Sequence, residues 1–295
     1  MLFRTALSLR HSIAPSLRRP MTPVRRLVVN ADDFGRSPSI NDAVVRAHRE
    51  GILTSASLMV NEPARDAAVA LARENPTLGI GLHLTLLCGH AALPPATIPG
   101  LVNSRGDFSD RPAATGLRYF VRRDLREQLR REIHRQFALF RETGLPLDHL
   151  NGHLHLHLHP VVFRILMEDA DALGIRHLRL TRDCFWMNWR LARGRWWYRV
   201  SHAVIYHLLA ARARGPLRQR GTKHTRAVFG LLQDSHVDEA YVLKLLPRLP
   251  AGDSELYSHP SRDEFKHELE ALISPRVKEL IDKLGIQLIR YRDLP

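Results

Sequence analysis

Arg26-Leu27-Val28-Val29-Asn30-Ala31-Asp32-Asp33-Phe34-Gly35 is the stretch whose reading decides the fold. Arg26–Ala31 is short, apolar and β-branched at its centre, and reads as a buried strand. Asp32-Asp33-Phe34-Gly35 reads as the loop that leaves it. Pro38–Glu50 follows as a helix with Ile40, Ala43, Val44 and Ala47 on one face, closed by Gly51. The same alternation continues outward. Thr54–Val60 is a strand, Ala64–Glu74 a helix and Leu78–Leu87 a strand. A long loop rich in proline and glycine spans 88–116. Arg122–Thr143 is a charged helix, and Leu147–His157 a strand. Pro160–Leu173 is a helix and Ile175–Thr181 a strand. Residues 182–223 break the rhythm and read as an insertion. Strands resume at Val228–Leu232, Ser254–Ser258 and Ile286–Arg290. Between them lie helices Val237–Leu246 and Arg262–Leu284, the latter broken at Pro275. Strands alternating with helices predict a parallel sheet. About eight strands in one chain predict a barrel rather than an open sheet, though closure cannot be read from sequence: a single α/β domain over 23–295 with a helical insertion.

Composition bounds the class. With 44% hydrophobic residues in 295, the chain can bury one large core. No run reaches 18 apolar residues, so no transmembrane helix is predicted. Cys88 and Cys184 form no CxxC pair, which fits a reducing, cytoplasmic compartment. The formal net charge is +14, nearly all of it arginine, since only five lysines occur. Two readings stand: a basic surface for an anionic partner, or the arginine bias of a GC-rich genome. Residues 1–22 contain Arg and Ser but no acid, like a transit peptide. Met21 just before the first strand offers the simpler reading of a start called too early. Either way the segment is expected to lie outside the fold.

The chemistry-bearing residues fall at or near strand ends. Asp32 and Asp33 stand where barrel enzymes gather catalytic groups. Adjacent carboxylates repel unless a cation or shared proton separates them. On a strand they point to different sides, so one can bind metal while the other takes a proton from water. His83 in Gly81-Leu82-His83-Leu84 faces away from the leucines. His153, His155 and His157 alternate with Leu154, Leu156 and Leu158, so on a strand the three imidazoles line one face. Such a face is costly to bury without a metal, a carboxylate or water. Some of these histidines bind metal and others hold substrate or tune acidity. His259, before Pro260 at another strand end, has the titration range of a general acid.

Together these motifs resemble a known family. Asn30-Ala31-Asp32-Asp33-Phe34-Gly35, Gly81-Leu82-His83-Leu84, His149-Leu150-Asn151-Gly152-His153 with its histidine repeat, and Tyr257-Ser258-His259-Pro260 resemble the YdjC-like carbohydrate deacetylases, including the chitooligosaccharide deacetylases. The resemblance runs from Arg26 to the C-terminus. It implies a distorted TIM-like (β/α) barrel and one divalent metal ion held by Asp33, His83 and His153, with Asp32 as general base and His259 as general acid. It departs from the family at Asn151, where Asp is frequent. Zinc fits three N/O ligands with an open position, and magnesium is the alternative. His155, His157, Asn151, Trp196 and Trp197 are the residues assigned to substrate contact.

The insertion adds a second layer. Residues 176–226 hold thirteen Lys or Arg against one acid, Asp183. All four tryptophans lie there: Trp186, Trp189, Trp196 and Trp197. Trp196–Arg214 reads as a basic helix with Val200, Val204 and Leu208 on its apolar face. Three roles stay open: contact with an anionic membrane at its cytoplasmic face, a lid over substrate, or a structural flap. Within the family the pattern is most similar to the hopanoid biosynthesis-associated deacetylases, which implies a lipid-linked N-acetylated amino sugar as substrate. Two other classes compete. A basic nucleic-acid-binding protein with a structural metal leaves Asp32, Asp33 and His83 unexplained, so no nucleic acid is expected. A two-metal phosphoesterase needs more carboxylates.

Overall fold

A computed structural model of the protein describes residues 24–191, 194–233 and 235–295. The expected N-terminal extension, 1–22, lies outside the described residues.

Strand β1 (Arg25–Phe34) organises the sheet. Its residues from Leu27 to Phe34 are all buried, with no alternation, as a central parallel strand covered on both faces requires. It pairs in parallel with β6 (Gly252–Ser258) along one side. Along the other it pairs with β7 (Gln287–Leu288) near its start and β2 (Ser55–Leu58) near its end. β3 (Gly79–Leu84), β4 (Leu150–Gly152) and β5 (Ala227–Phe229) complete the order β4-β3-β2-β1-β6-β5. The expected strand Ile175–Thr181 forms only isolated bridges. Residues 176–182 nevertheless bond to both open edges. Leu150 and Arg179 exchange amide bonds with His177 and Leu150, while Leu178 and Val228 donate to Lys223 and Arg182. This irregular seam bridges the edges of the curled sheet, which is the distorted α/β barrel the sequence predicts.

The loop that carries the carboxylates is fixed by local chemistry. Helix α1 (Pro38–Glu50) starts on the Ser37 hydroxyl, which accepts from the Ile40 amide, and has Pro38 in its first turn. Buried Asn41 accepts from the Gly35 amide and donates to the Ala64 carbonyl. That ties the end of β1 to the start of α2 (Arg65–Glu74). α3 (Pro112–Val121) and α4 (Arg126–Glu142) follow β3. α5 (Pro160–Glu168) and α6 (Ala170–Leu173) follow β4. α7 (Phe185–Leu191) and α8 (Trp196–Arg220) form the insertion. α9 (Glu239–Leu245), α10 (Lys266–Ile273) and α11 (Pro275–Leu284) close the chain. The break expected at Pro275 falls there, with Ser274 capping α11.

Two expectations need correction. The histidine repeat is not a strand. β4 ends at Gly152, and residues 153–158 wind into a tight turn with left-handed Leu154 (φ 48°) and His155 (φ 60°). The chain doubles back so closely that a Cβ on Gly152 would lie 3.1 Å from the His157 Cβ. The apolar–polar alternation does not reveal that turn, because it rests on left-handed backbone at two non-glycine residues. The second concerns the length of α8. It runs to Arg220 rather than the expected Arg214, and its buried side is Arg199, Tyr206, Ala210, Ala213 and Leu217. Val204 and Leu208, on the expected apolar face, point outward, 55% and 62% exposed. No helix among the described residues is long and apolar enough to cross a membrane.

Gly79 and Gly81 alternate on β3 because Asp148 and His149 lie against them. A Cβ at Gly81 would sit 2.5 Å from the His149 ring. Gly81→Ala is therefore expected to destabilise the fold by about 1–3 kcal/mol through overpacking. A lowered urea midpoint at unchanged slope measures it. An unaltered midpoint would mean that the ring yields freely.

Candidate metal centre and catalytic site

The register of β1 slips between Ala31 and Phe34, and Asp33 takes a left-handed φ of 65°. This bulge re-aims the acidic pair. Both carboxylates are buried and both approach His83, so the expectation that they face opposite sides gives way. Asp33 Oδ1 lies 3.2 Å from His83 Nε2, and Asp32 Oδ2 lies 4.0 Å from His83 Nδ1. His83 is near the end of β3, and His153 follows β4 directly. Parallel strands thus deliver all three residues to one rim.

There the donors converge. Asp33 Oδ1 is 3.0 Å from His153 Nδ1, and the His83 and His153 nitrogens are 3.3 Å apart. A tetrahedral ion bonded at about 2.0–2.1 Å keeps its donors roughly 3.3–3.4 Å from one another. The set of one carboxylate and two imidazoles therefore fits a divalent ion such as zinc in both chemistry and spacing. Asp33 Oδ2 turns away to Arg36, 2.7 Å distant. Burial opposes ionisation of Asp33, but His153 and His83 overcome it and hold the carboxyl well below the usual range.

Asp32 is gripped differently. Arg179 Nη1 and Nη2 donate to its two oxygens at 2.6 and 2.9 Å. Asn30 and Asn151 add amide bonds at 2.8 and 3.0 Å. Burial raises the carboxyl, yet the Arg179 guanidinium, helped by His83 and His259, lowers it well below an ordinary aspartate. Arg179, itself fully buried, also reaches Glu255 at 2.9 and 2.6 Å through Nε and Nη2. Tyr291 donates its hydroxyl to the other Glu255 oxygen. His259 stands at the end of β6. Its Nε2 lies 3.1 Å from the Tyr257 hydroxyl, and its Nδ1 is buried with no hydrogen-bond partner among the described residues.

The residues assigned to substrate contact divide. His157 is fully buried, and its Nε2 donates to the Arg179 carbonyl at 2.8 Å. Burial pushes its pKa down to about 3, so it is a neutral buttress with no face left for substrate. Asn151 is also fully buried. Its amide serves Asp32 and Ser57, and its oxygen faces His83 Nδ1 at 2.7 Å, so its capacity is filled within the protein. Both assignments are corrected. His155 packs edge-on against Tyr206 of α8 and Tyr257, held neutral by burial and then by Arg179. Trp196 and Trp197 stack on each other at 3.7 Å and are exposed on α8.

Arg179, Glu255, Ser57, Asp148 and His149 escaped the sequence reading as site residues. A faint signal existed for Arg179: it alternates with Leu178 and Leu180 where a lumen-facing residue belongs. His149 lay inside a quoted motif without a role. The others had none.

Residues 26–283 match the family described as YdjC-like protein. The chain belongs to the YdjC-like family. This YdjC-like chain is 35% identical over 275 residues to a carbohydrate deacetylase of Clostridium beijerinckii, covering 91% of this chain and all of that protein. It is 40% identical over 146 residues to a carbohydrate deacetylase of Brevibacillus brevis, covering 50% of this chain. It is 36% identical over 160 residues to a chitooligosaccharide deacetylase of Serratia marcescens, covering 53% of this chain. Those last two matches span 56% and 60% of the relatives, little more than half their length. In fold it is similar to a crystal structure from Enterococcus faecalis described as a candidate cellobiose-phosphate cleavage protein. The TM-score is 0.69 at 23% identity, covering 91% of this chain and 98% of that one.

Proposed function

We propose that this YdjC-like protein is a metal-dependent hydrolase that removes the N-acetyl group from an amino sugar. The observation that carries the reading is the Asp33, His83 and His153 donor set, spaced for one ion beside the clamped carboxylate of Asp32. The names of its relatives supply the substrate class. A divalent ion held by these three residues supplies Lewis acidity toward the amide oxygen and toward water. Asp32 receives the proton that water loses on attack. Arg179 holds that carboxylate ionised and aimed. His259, with its Nδ1 unengaged, gives a proton to the departing amine. Mass spectrometry of products from N-acetylated mono- and oligosaccharides is expected to show loss of one acetyl group. A chelator should stop the reaction and added zinc restore it. Hydrolysis that survives exhaustive chelation would sink the reading.

A finer reading concerns the substrate's other end. Trp186 and Trp197 are 76% and 70% exposed, and Val204, Ile205 and Leu208 join them on the outer side of the insertion. An apolar, arginine-flanked surface of this kind suits a lipid-linked amino sugar presented at an anionic membrane, as the hopanoid-type resemblance implies. Binding to anionic vesicles is expected, weakening with salt. Trp196→Ala with Trp197→Ala should cost more activity on lipid-linked than on soluble substrate. Equal losses on the two would point to a lid.

A further inference from the structure

We propose that Asp148, His149, Ser57 and Asn151 form a one-way hydrogen-bond chain that fixes which nitrogen of His83 is bare for the metal. The proposal rests on the metal site above and on no particular substrate. The chain is fully determined by counting donors and acceptors.

It begins at Asp148, whose side chain is buried and whose Oδ1 accepts from the Arg292 amide and Nε at 3.1 and 2.9 Å. Burial raises this carboxyl, but His149 and Arg292 outweigh burial and keep it ionised. An ionised carboxylate only accepts, so His149 Nδ1, 3.0 Å from Oδ2, carries the proton. The other ring nitrogen, Nε2, stands 3.0 Å from Ser57 Oγ. Ser57 receives amide hydrogens from Asn30 at 3.0 Å and Asn151 at 2.7 Å, which fill both lone pairs. Its own proton must go outward. His149 Nε2 is nearer than Asp32 Oδ1, which stands at 3.3 Å. With its amide end held by Ser57 and Asp32, Asn151 presents its oxygen to His83 Nδ1 at 2.7 Å. With a metal ion bound, His83 would thereby keep its proton at Nδ1 and offer Nε2, the atom in the donor set.

Burial makes the chain stringent. Ser57, His83, His149 and Asn151 are at most 1% exposed, so water cannot replace a missing partner. The sequence also builds a cradle for it. A Cβ at Gly79 would lie 2.7 Å from Asp148 Oδ2, and one at Gly81 would lie 2.5 Å from His149 Cε1. The two glycines of Gly79-Ile80-Gly81 make room for this carboxylate–imidazole pair.

His149→Gln and His149→Asn separate the chain from mere packing. The Gln amide reaches the place of Nε2 and can still accept from Ser57. The Asn amide reaches the place of Nδ1 and keeps only Asp148. Nitrogen-15 spectra of the zinc-loaded protein read which His83 nitrogen is protonated and which is bound, and competition with a chromophoric chelator reads zinc affinity. Wild type and His149→Gln are expected to show His83 protonated at Nδ1 with similar affinities. With Asp32 left to orient the Asn151 amide without a directed Ser57, His149→Asn should show a fraction of the other tautomer and about tenfold weaker zinc binding. Should His149→Asn fail to fold, Ser57→Ala carries the same expectation. Wild-type tautomer and affinity in the chain-breaking variant, or equal weakening in both His149 variants, would overturn the proposal. A wild-type protein that binds no zinc would instead overturn the metal site itself.

Discussion

His153→Ala is expected to empty the centre of metal and to lower turnover by at least roughly 10³-fold, since a Lewis-acidic ion contributes several kcal/mol to the transition state. The fold should survive. His153 lies beyond the end of β4, and among the described residues its side-chain hydrogen-bond partners are Asp33 and His83. With it gone, one carboxylate and one imidazole remain, too few for tight binding by the ordinary rules of hydrolytic metal sites. Elemental analysis after dialysis measures the metal, and circular dichroism checks the fold. His157→Ala is the informative contrast, because that ring buttresses the Arg179 carbonyl and touches no donor. It should reduce stability while leaving the metal in place. Full metal content and near-normal turnover in His153→Ala would remove His153 from the site.

Why these residues were readable follows from where they stand. β1 is a run of buried apolar residues ending in two acids, and α1 carries its own start and stop in Ser37, Pro38 and Gly51. Such signals are local. The set Asp33, His83 and His153 came from the family resemblance; the residues alone placed these groups at or near strand ends, and parallel strands in a barrel end at one rim, so residues far apart in sequence share an edge. The turn at Leu154 and His155 was not. It places Gly152 against His157, five residues on, through left-handed backbone at two non-glycine residues that an alternating pattern does not signal. Arg179 was missed for a different reason. Its partner Asp32 is 147 residues away and Glu255 is 76 residues away, and only the seam at 176–182 brings them together. The outward Val204 and Leu208 face had a correct apolar pattern, but amphipathicity does not say which side meets the barrel.

Arg179→Met should produce the largest loss of stability, about 3–5 kcal/mol near neutral pH, because it strands two buried carboxylates. Arg179 is the cation between Asp32 and Glu255, and all three are at most 2% exposed. The pH dependence identifies the cause. In the wild type, the folded Asp32 carboxyl lies below its unfolded value near 3.9. Its contribution is therefore fully present above that value and is lost as pH falls toward the folded pKa. Without Arg179, burial is opposed only by His83, His259 and the Asn30 and Asn151 amides, and should raise the carboxyl above its unfolded value. The sign then reverses: the variant is least destabilised in acid, and loses stability as pH rises through the raised pKa. The gap between the two proteins should accordingly shrink from pH 8 to pH 4 in urea unfolding. The Met chain fills most of the guanidinium's volume, so a cavity explains little of the loss. A gap that stays constant across that range would show that packing, rather than charge, is what Arg179 contributes.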